Sequence, residues 1–134
     1  MTKCQWIVEV LRFIWTLPIT LAGLVLMAAG EGPLWIRRVR GLVFYAVPRW
    51  WPIGRHYDAI SLGSIVLFRG SKEVGHKMLV RHEEEHIHQA AILGPIMILL
   101  YPLMSLVAMV LYHEPYRLNY FEMCARHVSG EDRR

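Results

Sequence analysis

The chain has 134 residues, of which 54% are hydrophobic, and carries a formal net charge of +4. This length allows a single domain with one core and excludes two domains of ordinary size. The apolar fraction exceeds what a small soluble domain needs, which favours membrane association, while scattered basic residues without a nucleic-acid-binding motif argue against a nucleic-acid partner.

The first predicted element is an N-terminal transmembrane helix within residues 1–30. Residues 13–30 carry no charge and come close to the roughly 20 apolar residues that a helix needs to cross a bilayer. Trp6 and Trp15 suit the membrane interface, and we expect the helix to be retained rather than cleaved as a signal peptide. Residues 31–134 are then predicted to form a second unit.

Basic residues are placed unevenly around this helix. Lys3 and Arg12 lie before the uncharged stretch, whereas Arg37, Arg38 and Arg40 follow the helix directly. Basic residues near a membrane helix accumulate on the cytoplasmic side and attract anionic lipid headgroups. We therefore expect the region after the helix to face the cytoplasm and to contact membrane lipid.

The next two segments differ in their predicted structure. Residues 34–54 are rich in Trp, Arg and Pro, which favours a segment on the bilayer surface and excludes a long regular helix there. In residues 57–69, two apolar runs flank Gly63, which predicts a short bulged β-strand or a tight hairpin. Such a strand can serve as a plain core strand or can bind an extended peptide by edge pairing.

The most informative stretch is His82-Glu83-Glu84-Glu85-His86. Residues four apart share one face of a helix, so the two histidines can offer imidazole nitrogens to one metal ion. Read forward, the stretch is an HExxH motif, in which Glu83 takes a proton from a water on the metal. Read in reverse, it is HxxEH with Glu85 as the base, and helix geometry alone does not choose between the two.

The elements around this motif are predicted from their end signals. The motif helix is expected to begin at a Ser71 cap, with an interruption at Gly75, and to end or bend at Gly94. A second apolar stretch occupies residues 90–112, and a C-terminal helix is predicted to begin near Pro115. This last helix carries Glu122, which can supply the third ligand of a catalytic metal site.

A shared metal site restricts the path of residues 90–112. A straight membrane-spanning helix would separate His86 from Glu122 by about 30 Å of hydrocarbon. We therefore expect this stretch to form a broken helix or hairpin, or a core helix packed against the first apolar helix, so that the chain returns to its starting side.

Two motifs resemble those of gluzincin-type zinc metallopeptidases, HExxHxxQ and NxxExxA. In this chain they are formed by His82-Glu83-x-x-His86-x-x-Gln89 and by Asn119-x-x-Glu122-x-x-Ala125. An LPxTxxG-like run at residues 17–23 and an AITLG-like run at residues 59–63 resemble more closely the short bacterial membrane-associated proteins that carry an HExxH motif.

The resemblance implies a mainly α-helical, membrane-associated protein with a zincin-like site. A Zn²⁺ ion would be held by His82, His86 and Glu122, with Glu83 rather than Glu85 as the general base. The implied activity is hydrolysis of a peptide or protein substrate, at the bacterial inner membrane and with the site on the cytoplasmic side.

Other polar residues are candidates for supporting this site, either by orienting the ligands or by stabilising an oxyanion. They are Gln89, Asn119, Tyr116, Tyr120 and His127.

A second interpretation is that the chain is not an enzyme. A small accessory subunit of a larger membrane protein complex would have the same apolar excess and the same small size, with a His/Glu cluster that is structural or vestigial. The two interpretations differ in their metal content.

Overall fold

The computed structural model describes residues 3–30, 34–38, 42–51 and 56–133. These residues are mainly helical, as predicted. The helices are α1 (Lys3–Gly30), α2 (Ser71–Val74), α3 (Lys77–Leu93), α4 (Met97–Tyr112) and α5 (Tyr120–Ser129), with 3-10 turns at Gly94–Ile96 and Glu131–Arg133. The strands are β1 (Leu34–Arg38), β2 (Leu42–Ala46), β3 (Ala59–Leu62) and β4 (Ile65–Phe68).

The strands form one mixed sheet in the order β1-β2-β4-β3. β3 and β4 are the antiparallel hairpin predicted within residues 57–69, while β4 pairs with β2 in parallel and β2 with β1 antiparallel. Strands β1 and β2 were not predicted within residues 34–54, and the buried side chains of β2 face the protein core rather than the predicted bilayer surface. β1 pairs with the neighbouring β2, whereas the partner of β2 in the middle of the sheet, β4, lies about 20 residues further along the chain. Arg40 and Pro52, also used in that prediction, lie outside the described residues.

The sheet is covered by a different helix on each face. β4 is buried along its whole length, so its alternate side chains contact different layers. One layer joins the sheet to α3, and its core members are Val43, Tyr45, Ala59, Val66, Phe68, Val80 and Ile87. The other joins the sheet to the second half of α1, through Ala46, Ile65, Leu67, Leu24, Leu26 and Met27.

The tip of the β3–β4 hairpin docks against the middle of α1. Gly63 adopts φ 63°, and a Cβ added there would lie 2.7 Å from the backbone nitrogen of Thr20, so only glycine fits. The Ser64 N–H donates to Thr20 Oγ1 at 3.0 Å, and Ser64 Oγ lies 3.2 Å from Thr16 Oγ1. The apolar helix is thus packed into the fold, and the domain division at residue 30 stays a prediction.

The motif helix begins later than its sequence suggests. Gly75 separates the short α2, which contains Ser71, from α3. The N-terminus of α3 is capped by His76, whose Nδ1 accepts a hydrogen bond from the Leu79 N–H at 3.2 Å. The predicted interruption at Gly75 is therefore present, whereas the predicted Ser71 cap is wrong, because Ser71 is the first residue of α2 and Gly70 holds the N-cap position.

The second apolar stretch is broken, as predicted. α3 ends at Leu93, and Gly94 adopts φ 53° at the start of the 3-10 turn that leads into α4. The side chain of Trp15 occupies the space that a Cβ on Gly94 would need, and its Nε1 donates to the Ile92 carbonyl at 3.3 Å. The break is therefore fixed by packing against α1.

After α4 the chain turns back towards α3. Asn119 Nδ2 donates to Ser105 Oγ at 2.7 Å and to the Tyr101 carbonyl at 3.0 Å, which ties the start of α5 to the middle of α4. Asn119 also caps α5, since its Oδ1 accepts from the Phe121 N–H at 2.9 Å. The predicted start near Pro115 is wrong by several residues, but the predicted return of the chain is present.

Two helical stretches among the described residues are long and apolar enough to cross a membrane, Cys4–Ala29 and Lys77–Tyr112. Only 17% and 11% of their most apolar windows are buried inside the protein, whereas a core helix would be mostly buried. Both α1 and α4 bury one narrow stripe and expose large apolar side chains elsewhere. Exposed apolar area of this extent is typical of lipid or partner contact.

Candidate metal centre

Three potential ligands converge between α3 and α5. The Nε2 atoms of His82 and His86 lie 3.2 Å apart, and the carboxylate oxygens of Glu122 lie 3.2 Å from the first and 3.3 Å from the second. Their side chains are only 7%, 11% and 3% exposed, in the same order. These three residues could hold a metal ion.

Helix periodicity places the ligands. Val80 and Ile87 turn one face of α3 towards the sheet, which leaves His82 and His86 on the face that packs against α5. α5 is amphipathic, and the residues that it buries are Phe121, Glu122, Ala125 and Ser129. The ligand cluster is therefore formed where two amphipathic helices bury their facing sides.

The hydrogen bonds of Gln89 fix the tautomer of His86, and therefore which ring nitrogen has a free lone pair directed at the cluster. Gln89 Nε2 donates to the Phe121 carbonyl at 3.1 Å, and a carbonyl only accepts, so the amide oxygen must face His86 Nδ1, 2.9 Å away. Nδ1 of the neutral imidazole then carries the proton, and Nε2 presents its lone pair towards His82 and Glu122. This is the tautomer that a metal-binding histidine needs.

The ligand atoms lie close enough to share one ion. Ligands bound to zinc at about 2.0–2.1 Å with tetrahedral angles lie about 3.3–3.4 Å from one another. The two imidazole Nε2 atoms, 3.2 Å apart, come close to that value. Glu122 directs Oε2 towards His82 at 3.2 Å and Oε1 towards His86 at 3.3 Å, and one ligand atom from each residue lies within 4.8 Å of the others. Two facing imidazole nitrogens beside a carboxylate attract a cation, so the donor set fits a zinc ion in charge as well as in distance.

The carboxylate of Glu122 is prepared to bind a cation. Burial by itself would raise its pKa, but hydrogen bonds with His82, His86 and Tyr101 outweigh burial and hold the pKa of Glu122 well below its usual range. For His86 the balance also favours charge: burial lowers its pKa, and the Glu122 carboxylate more than reverses this. The cluster therefore stabilises positive charge between its members.

Glu83 lies next to the ligands, on the side of α3 that faces β3. It is buried, and the Ser61 side chain on β3 forms a hydrogen bond with it. Burial raises the pKa of Glu83, against the opposing effect of the two nearby histidines His86 and His82. A carboxylate whose pKa lies above its ordinary value accepts a proton more readily than an ordinary carboxylate does.

The other two glutamates of the motif point elsewhere. Glu84 Oε1 accepts a hydrogen bond from the Tyr45 hydroxyl of the sheet at 2.9 Å. Glu85 lines a groove on the outer side of α5. Because successive helix residues are about 100° apart, the three carboxylates separate into different surroundings. Of the three, Glu83 is the one that the structure places against the ligands.

Of the predicted supporting residues, three lie at or next to the cluster. Gln89 contacts His86, and Asn119 ties α5 to α4 as described above. Tyr116 is half-exposed, and its pKa is raised by burial and then by the carboxylates of Glu122 and Glu83. Its ring meets that of Tyr57 edge-on, with centroids 5.8 Å apart. Tyr116 thus borders the cluster on a side that solvent reaches.

Tyr120 and His127 do not approach the ligands, which corrects their prediction as supporting residues. Both are exposed on the outer face of α5, since positions 120 and 127 lie about 200° and 140° around the helix from Glu122. They line the groove mentioned above, together with Glu85, Glu114, Arg117, Leu118, Met123, Cys124, Arg126, Val128 and Asp132.

Sequence reasoning missed two residues at the cluster. The Tyr101 hydroxyl donates a hydrogen bond to Glu122 Oε1, and Glu131 Oε1 lies 3.3 Å from His82 Nδ1. Tyr101 and Ser105 are polar positions four apart in an apolar helix, a signal that could have been read as a buried polar face. Glu131 offered no such signal, because it lies in a short polar terminus.

Searches of protein-family models, curated proteins and solved structures found no match to this chain. The resemblance to gluzincins therefore depends on the motifs alone, and the function has to be argued from the geometry of the site.

Proposed function

We propose that the protein is a membrane-associated zinc metallopeptidase in which His82, His86 and Glu122 hold the metal and Glu83 acts as the general base. The observation that carries the proposal is the buried Glu83 beside three side chains that converge closely enough to hold one metal ion. With three protein ligands, a fourth position is left for water or substrate, which is typical of catalytic rather than structural zinc sites.

The chemistry divides between the ion and the side chains. When bound, the zinc ion supplies Lewis acidity, which lowers the pKa of water from 15.7 to about 7 and polarises the scissile carbonyl. Glu83 accepts the proton that the attacking water loses and delivers it to the leaving amine. Tyr116 is the candidate donor to the oxyanion, since it borders both Glu122 and Glu83.

The edge of the sheet offers a place for an extended peptide. The Arg69 N–H donates to the Asp58 carbonyl at 2.8 Å, which marks that pair as hydrogen-bonded. Antiparallel pairs alternate between bonded and non-bonded, so Ala59 and Ser61 direct their backbone groups away from β4. A peptide paired with Ser61 would lie next to Glu83, which contacts the Ser61 side chain.

The exposed apolar faces of α1 and α4 support a location at a membrane. Within this proposal the membrane is the bacterial inner membrane, and the excess of basic residues after α1 favours a site on its cytoplasmic side.

Metal analysis with variants of the two flanking glutamates tests the proposal. We expect about one zinc per purified chain. Glu83→Gln should retain zinc and lose peptide hydrolysis by about 10²–10⁴-fold, the usual range for a general base. The matched control is Glu85→Gln, which changes the other motif carboxylate outside the ligand cluster and should retain both.

A chain without zinc that copurifies with larger membrane proteins would favour the accessory subunit instead. Full activity in Glu83→Gln would remove the assigned base.

A further inference from the structure

We propose that Tyr101 and Glu131 are positioning residues that fix the orientation of two metal ligands, Glu122 and His82, and thereby set the metal affinity of the centre. The inference rests on the proposed zinc site and adds two residues from outside both sequence motifs. One comes from the apolar helix α4 and the other from the C-terminal 3-10 turn.

Tyr101 holds the Glu122 carboxylate. Oε2 of Glu122 faces His82 at 3.2 Å, while Oε1 accepts from the Tyr101 hydroxyl and lies 3.3 Å from His86. A carboxylate rotates easily about its last torsion, and a fixed donor on one oxygen restricts that rotation. The other oxygen is then held towards His82.

Tyr101 is itself fixed from two directions. Its ring stacks on Phe121 with centroids 6.1 Å apart and planes inclined by 15°. Its carbonyl accepts from Asn119 Nδ2 at 3.0 Å, immediately before the helix that carries Glu122. Because these neighbours are buried, the hydroxyl has a defined position rather than a choice of rotamers.

Glu131 is placed to hold His82 in the way that Tyr101 holds Glu122. His82 directs Nε2 into the cluster, so a neutral, metal-binding imidazole carries its proton on Nδ1. That atom is buried and makes no hydrogen bond within the described residues, yet Glu131 Oε1 lies only 3.3 Å away. Nδ1 of His82 and Oε1 of Glu131 are as close as the atoms of an ion pair, but they are not aligned as a hydrogen bond requires. A small rotation of either side chain would align them.

The turn that carries Glu131 is anchored on α5. Gly130 ends the helix with φ 87°, and Asp132 Oδ1 lies 3.6 Å from Arg126 Nε. The polar C-terminus therefore folds against the metal centre over the described residues up to Arg133, instead of fraying from it.

The third ligand shows what such a partner does. His86 Nδ1 already donates to Gln89 at 2.9 Å, and the Gln89 amide is fixed in turn by the Phe121 carbonyl. Each ligand thus has one partner of its own, supplied by α3, α4 and the C-terminal turn. Outer partners of this kind contribute to metal affinity without touching the metal.

The test measures zinc affinity by chelator competition on the full chain in detergent micelles. We expect Tyr101→Phe and Glu131→Ala each to weaken zinc binding by about 10–100-fold. Glu131→Gln keeps an acceptor oxygen and should lose less than Glu131→Ala. Since the two partners act on different ligands, the factors should multiply in a double variant. Matched controls are Tyr112→Phe on the same apolar helix and Glu114→Gln in the exposed loop, which should bind zinc like the wild type.

Two further readouts separate positioning from general stability. The visible spectrum of the Co²⁺-substituted protein should change in Tyr101→Phe and in Glu131→Ala, because a reoriented ligand alters the coordination geometry. The thermal midpoint of the metal-free variants should stay close to that of the metal-free wild type.

Unchanged zinc affinity and an unchanged Co²⁺ spectrum in variants of a zinc-binding wild type would overturn this inference alone. Equal losses in the two control variants would overturn it as well. A wild type that binds no zinc would overturn the proposed zinc site together with it.

Discussion

The ligand cluster and the apolar faces of α1 and α4 differ in what encloses them. The three ligand side chains are at most 11% exposed, and they are contacted by residues of α3, α4, α5 and the C-terminal turn. On α4, by contrast, Leu99 is 73% exposed within a helix of almost entirely apolar residues. The chain by itself completes the metal centre, but it leaves the apolar faces without cover.

This difference in enclosure separates metal binding, which depends on packing inside the protein, from the exposed apolar faces, which depend on what lies outside it. Ligand spacing is set by internal packing, so metal binding should survive extraction into detergent. The exposed faces of α1 and α4 leave apolar area in contact with water unless lipid, detergent or a partner protein covers it. The two regions meet at Tyr101, which belongs to the apolar helix and contacts Glu122.

The largest expected effect comes from removing a ligand. Glu122→Ala should weaken zinc binding by more than the roughly 10–100-fold that loss of an outer partner costs, since a direct ligand is lost. Association of the protein with lipid vesicles should not change. Zinc competition and vesicle flotation of the same variant measure the two properties side by side, and a joint loss of both would show that the regions are not independent.

A charge introduced on the exposed face of α4 should have the opposite effect, reducing vesicle association without changing zinc binding. An aspartate costs about 2.5–3.5 kcal/mol at the centre of a membrane helix and less towards its ends. Leu99→Asp should therefore reduce vesicle association strongly and leave zinc affinity as it is.

Met123→Asp, on the exposed outer face of α5, is the matched control and should alter neither property. If Leu99→Asp associates with vesicles as the wild type does, the outer face of α4 does not contact lipid.

The contact between the hairpin and α1 can be tested through two glycines with positive φ. Gly63→Ala introduces both backbone strain and a close contact with Thr20, whereas Gly130→Ala introduces the strain with nothing within 4 Å. Strain at such positions costs about 1–3 kcal/mol. Denaturant unfolding should therefore show a larger loss of stability for Gly63→Ala, and equal losses would mean that the hairpin does not dock on α1.

The smallest effect concerns the second glutamate of the motif. Tyr45→Phe removes the hydroxyl that donates to Glu84 at 2.9 Å and keeps the buried ring. We expect a loss of about 1–2 kcal/mol in the free energy of unfolding, the usual contribution of one hydrogen bond. Zinc affinity should be unchanged, because Glu84 points towards the sheet. A weaker metal site in this variant would link Glu84 to the cluster.

Local patterns in the sequence located most of the candidate site. Spacing of four along one helix brings His82 and His86 together, and the Glu122 motif named the third ligand. Glycine and proline signals placed the break between α3 and α4 and the hairpin turn at Gly63. The histidine pair, the helix break and the hairpin turn were predictable because each depends on residues that are neighbours in one helix or one turn, whereas Glu122 was named from the motif resemblance.

The residues that were missed depend on contacts between distant segments. Strands β1 and β2 are defined by pairing across the sheet, and their composition gave no alternation strong enough to show it. Tyr120 was predicted as a supporting residue, yet helix rotation carries it to the side of α5 away from the ligands. Only the return of the chain after α4 brings Tyr101 to the carboxylate.

The amino-acid sequence thus determined the local chemistry: the pair of histidines on one helix face, the glutamate beside them, and two apolar stretches suited to a membrane. Which of the three consecutive glutamates faces the ligands, and which partners hold those ligands, was decided by tertiary structure. The physical reason is that helix periodicity fixes neighbours three or four residues apart, whereas the packing of α3 against the sheet and α5 fixes which face of the helix is buried.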